Sequence, residues 1–124
     1  MTVFPADGYH SGCRGEKFNG LFFQGFQDFL ESLEEQPVKF LATAPAIVSI
    51  SRKDGQMPLQ DLKRLLSLSN VVGLGETYWQ SVLQQPDILL PRFAETLKSG
   101  KILEGHSAWA SEKKLNAYIA AGIT

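Results

Sequence analysis

Two stretches of this chain repeat one pattern, a short apolar run that ends on a single ligand-capable side chain. They are Asn70-Val-Val-Gly-Leu-Gly-Glu76 and Lys101-Ile-Leu-Glu-Gly-His106. Between them lies a loop with Tyr78 and Trp79, then a helical pattern through Arg92, Phe93, Ala94 and Leu97 that closes at Gly100. A strand, a helix and a second strand in that order make a parallel pair. The carboxylate and the imidazole then open onto the same end of the sheet, where parallel α/β folds carry ligands and metals.

The rest of the chain extends the alternation. Thr2–Ala6 is β-prone and breaks at Asp7-Gly8, and the glycine-rich stretch from Tyr9 to Gly20 reads as a loop. From Leu21, the residues Phe22, Phe26, Phe29, Leu30 and Leu33 form a helical stripe that stops before Pro37. The cluster Phe22, Phe23, Phe26 and Phe29 reads as core packing. Val38–Ala44 is apolar enough for a buried parallel strand, while Pro45–Gly55 reads as an edge excursion or an extended loop. Pro58 starts a helix with Leu59, Leu62, Leu65 and Leu66 on one face. Pro91 places the start of the next regular helix near itself. Ser111 is a suitable N-cap for the last helix, with Leu115, Tyr118 and Ile119 as its stripe and Gly122 at its end. Ile123-Thr124 begins what reads as another strand. The order β-α-β-α-β-α-β-α predicts an α/β fold built on a parallel sheet, with residues 1–124 as a single domain.

Composition narrows the partners. Twelve basic and thirteen acidic residues are mixed along the chain and leave a net charge of −1, so no basic stripe points to nucleic acid or an anionic membrane. No apolar run approaches the roughly 20 residues of a spanning helix, and the N-terminus lacks a basic region followed by an apolar core. One cysteine, Cys13, excludes an internal disulfide. These features predict a soluble, cytoplasmic protein.

At Val71-Val-Gly-Leu-Gly-Glu76, and from Gly105-His106 through Ser111 to Leu115-Asn-Ala-Tyr-Ile-Ala-Ala-Gly-Ile123, the chain resembles the microbial adenine deaminases of the amidohydrolase superfamily. The second block is the more specific. The resemblance implies about half of a TIM-type (β/α)8 barrel, roughly strands two to five with their helices. A small open parallel sheet with helices on both faces is the alternative. It also implies a binuclear centre of manganese, iron or zinc, at which an activated water displaces ammonia from a purine. Glu76 then resembles the carboxylate that bridges the two metals, and His106 the histidine that binds one of them. A carboxylate and a neutral imidazole suit such divalent ions.

The departures limit that reading. The resemblance puts a His-x-His pair before Met1, and a further histidine and an aspartate beyond Thr124. The chain itself has two histidines, His10 and His106. Ala108-Trp109 stands where the family has a proline-glycine pair, and Asp7-Gly-Tyr-His-Ser11 replaces an Asp-Pro-His-Glu segment. A lone Glu–His pair holds a metal weakly, since protein metal sites use three or more ligands, so the isolated chain is expected to have little activity and to bind few or no ions. The bland readings are a solvated loop carboxylate for Glu76 and a backbone-bonded loop histidine for His106. Tyr78, Trp109 and His10 are weaker candidates for contact with a purine. Tyr78 and Trp79 read equally as plugs or core cover, and no serine has a histidine base to make it a nucleophile. Two other functions stay open. One is a non-catalytic half-barrel that self-associates through exposed sheet edges or binds a partner. The other is an amidohydrolase acting on a different cyclic amide or amidine.

Overall fold

In the computed structural model, residues 2–3, 21–46 and 57–124 are described. The order is β1 (Thr2–Val3), α1 (Leu21–Ser32), β2 (Phe40–Pro45), α2 (Leu59–Leu66), β3 (Val71–Tyr78), α3 (Trp79–Gln84), α4 (Pro86–Lys98), β4 (Ile102–His106) and α5 (Glu112–Ala120). The strands form one open sheet in the order β1-β2-β3-β4, every pair parallel, with β1 only two residues long. Strand order follows chain order without reversal. Right-handed crossovers between strands taken in this order place their helices on one face, which is the winding of a β/α barrel segment. A doubly wound sheet would require a reversal. The fold is therefore α/β, an open parallel sheet flanked by helices.

Side-chain alternation divides the strands between two environments. Ala42, Ala44, Leu74 and Leu103 join the helix-side core with Phe26, Leu30, Leu62, Leu65, Leu66, Leu89, Phe93, Tyr118 and Ile123. On the opposite face Thr43, Gly73 and Ile102 lie abreast by register. Ile102 is 46% exposed. Beyond β4, Ile123 bridges Leu103 in parallel, and Thr124 donates its backbone N–H to the Leu103 carbonyl at 3.0 Å. The last two residues thus begin to pair as a further strand, as their β-prone character predicts.

Four sequence expectations need correcting. Strand β3 runs through Tyr78 and helix α3 starts at Trp79, where the sequence reads as a loop. A six-residue helix is too short to show a hydrophobic period. Helix α4 starts at Pro86, not near Pro91. Pro86 at its first position supplies the fixed φ that starts a helix. Pro91 gives up only the one bond to the carbonyl of Asp87, itself in the first turn. The buried Leu89 and Phe93 on either side hold the helix through it. Pro58 caps α2 instead of opening it, and Phe26 is buried while Phe29 is not. Residues 47–55, the rest of the excursion read from Pro45, lie outside the described residues.

Candidate metal centre

The ends of β3 and β4 meet through a two-for-one irregularity. Leu74 pairs with Leu103 and Thr77 with Gly105, so Gly75 and Glu76 together face the single residue Glu104. The extra residue is absorbed at Glu76, whose φ is +52°. That left-handed region disfavours any residue with a Cβ by roughly 1–2 kcal/mol. Strand bulges of this kind re-aim side chains beside functional sites. Here the shift turns Thr77 toward the helices, and it brings Glu76 and Tyr78 to the strand end with His106.

Three side chains converge there. Glu76 Oε1 lies 3.5 Å from His106 Nε2. The Tyr78 hydroxyl donates to Glu76 Oε2 at 2.9 Å. The Tyr78 ring stacks on the His106 imidazole, centroids 4.7 Å apart and planes 24° from parallel. The Glu76 side chain is 23% exposed and that of His106 52%, so the pair opens to solvent and is supported from below. The donor set fits a divalent ion: two ligands at about 2.1 Å in a tetrahedral arrangement stand about 3.4 Å apart. Among the described residues no group of three or more histidine, cysteine, aspartate or glutamate side chains is clustered for a metal.

A buried network fixes the backbones that carry the pair. Thr77 Oγ1 lies 2.7 Å from the Glu104 carbonyl, to which it donates, and 2.5 Å from the Tyr118 hydroxyl. Tyr118 also takes a backbone hydrogen bond from His106. Burial pushes the Tyr118 phenol above its ordinary pKa, and the bonds with Thr77 and the His106 backbone pull the other way. Gly105 is obligatory at this point, because a Cβ there would collide with both Thr77 Oγ1 and the Tyr118 hydroxyl. On the opposite face, Thr43 Oγ1 donates to Glu104 Oε1 at 3.0 Å. That bond crosses over Gly75, whose missing Cβ would stand 2.6 Å from the same Glu104 oxygen.

Of the residues singled out in the sequence, Glu76, His106 and Tyr78 are brought together. Trp109 is 93% exposed, at φ +63°, with no recorded contact to the pair. Trp79 instead donates its indole N–H to the Ala108 carbonyl at 2.9 Å and lies under the Lys114 ammonium, 4.6 Å from the ring centroid. His10, Asp7, Tyr9 and Cys13 lie outside the described residues. Glu104, Thr43, Thr77 and Tyr118 were given no site role from the sequence. For Glu104 a signal was present, since it lies two residues before His106 and so shares its side of the strand.

These features define a parallel β/α segment with a glutamate–histidine pair at the C-terminal ends of adjacent strands. No family model matches the chain. An adenine deaminase of Dehalococcoides mccartyi is 32% identical over 107 residues, covering 81% of this chain and 18% of that protein. Adenine deaminase 2 of Carboxydothermus hydrogenoformans is 30% identical over 103 residues, and the adenine deaminase of Oceanobacillus iheyensis 28% over 103; each match covers 80% of this chain and 18% of the relative. The resemblance seen at the two sequence blocks therefore extends over about four-fifths of the chain, which matches a partial-length adenine deaminase segment. It spans less than a fifth of the length of these curated relatives.

Proposed function

We propose that this chain is the strand-two-to-five segment of a metal-dependent amidohydrolase that deaminates adenine to hypoxanthine and ammonia. The observation that carries the reading is Glu76, held in a disfavoured backbone conformation with its carboxylate 3.5 Å from His106. Strain of this kind persists where its surroundings impose it, and it gathers at functional sites. Glu76 would supply two carboxylate oxygens, suited to bridging two ions, and His106 Nε2 one nitrogen. The ions, manganese, iron or zinc, would make a water acidic enough to lose its proton near neutral pH. The chain's own part is to hold the two ligands in register. Glu76 is aimed by the bulge, and His106 is fixed through its backbone bond to Tyr118.

Because further ligands are needed, the purified 124-residue chain supplied with manganese, iron or zinc should release no ammonia from adenine above the protein-free rate. Turnover that disappears in Glu76→Gln or His106→Ala would overturn that expectation of inactivity. It would also establish the two side chains as necessary.

A second reading, a non-catalytic half-barrel that self-associates, is favoured by one observation. The sheet face opposite the helices leaves the apolar Ile102 exposed. An amidohydrolase of another cyclic amide or amidine would use the same two ligands, and the choice of substrate then rests on residues beyond them.

A further inference from the structure

We infer that Tyr78 is a positioning residue, which orders the Glu76–His106 pair before any ligand arrives; its place in a metal centre rests on the reading proposed above. One side chain makes a directed contact with each member of the pair. Its hydroxyl donates to Glu76 Oε2 at 2.9 Å, and its ring lies against the His106 imidazole at 4.7 Å. The hydroxyl occupies the oxygen that faces away from the histidine, so Oε1 is left toward Nε2 at 3.5 Å. A carboxylate oxygen has two lone pairs, and the Tyr78 bond therefore does not bar Oε2 from also ligating an ion.

The geometry follows from the bulge. Tyr78 pairs in register with His106, which sets ring beside ring, and the left-handed turn at Glu76 lets two residues of one strand meet. Without Tyr78, two partly exposed side chains would have to be ordered by the ligand itself, at the expense of binding free energy. Hydrogen-bond partners of ligating groups typically govern metal affinity by about 10–100-fold.

The test uses the purified chain, first with chelator present and then with zinc. The chain has two histidines, so its imidazole ring signals are few, and His106→Ala assigns those of residue 106. In the metal-free protein, the His106 ring protons should be displaced upfield by the Tyr78 ring. Tyr78→Phe should keep that displacement but move the Glu76 carboxyl-carbon resonance, and Tyr78→Ala should change both. An unmoved Glu76 resonance in Tyr78→Phe, or unmoved His106 signals in Tyr78→Ala, overturns the inference. With zinc added, Tyr78→Phe should bind about tenfold more weakly than the parent, and equal affinity counts against positioning. If the parent chain alone binds no zinc, the two metal-free resonances decide the role of Tyr78.

Discussion

Glu76 shows how a single residue can carry opposite demands. Its backbone favours glycine, and its side chain is engaged by Tyr78 on one oxygen and by His106 beside the other. Replacing it with glycine removes a left-handed penalty of roughly 1–2 kcal/mol and loses one hydrogen bond of about 1 kcal/mol. Glu76→Gly should therefore unfold in denaturant near the parent midpoint. Glu76→Val keeps the penalty in its most severe, β-branched form and should be less stable than Glu76→Gly by at least about 1 kcal/mol. The reverse ranking would mean that the carboxylate supports the fold instead of straining it. None of this strain is legible in the sequence. Gly-Leu-Gly-Glu would suggest a glycine at the positive φ, and the register with β4 places it on the glutamate instead.

At the scale of elements, the strands and longer helices were legible because their burial follows simple periods. The leucines of α2 at positions 62, 65 and 66 and the apolar run of β2 face one core. The failures had local causes, a helix too short for a period at α3 and a proline tolerated within α4. Half of the site was legible too, since Glu76 and His106 lie near the C-terminal ends of neighbouring strands. The buried support was not, because Thr77 and Tyr118 meet beneath the site from positions 41 residues apart in sequence. The Gly75–Glu104 approach makes a direct prediction. Gly75→Ala puts a methyl group against Thr43 Oγ1 first and 2.6 Å from Glu104 Oε1 as well, between the two partners of their hydrogen bond. Overpacking of this kind costs about 1–3 kcal/mol. Chemical denaturation should show that loss, and greater relief in Gly75→Ala combined with Thr43→Ala than with Glu104→Ala would identify Thr43 Oγ1 as the most crowded atom. An alanine variant as stable as the parent would mean that β2 and β4 can part at no energetic expense.

For the whole molecule, the described strands make an open parallel sheet in sequential order. Parallel sheets are normally covered on both faces. Here one face carries helices while Ile102 on the other is 46% exposed. Among the described residues no helix is long and apolar enough to cross a membrane. On the self-associating reading, the exposed edge around Ile102 should mediate contact between copies. Size-exclusion chromatography with light scattering should show the purified chain larger than 13.7 kDa. A monodisperse monomer across the micromolar range would argue that the face is satisfied within one chain.

Whether two strand ends still form part of a metal centre is most directly tested by titrating zinc or manganese into the chain at neutral pH. Resonances of residues 76 and 106 would be followed in the parent, Glu76→Gln and His106→Ala. Weak saturable binding is expected, centred on those two residues and lost in both variants. Binding that survives in both variants, or shifts that fall elsewhere in the chain, would contradict the assignment of Glu76 and His106 as ligands.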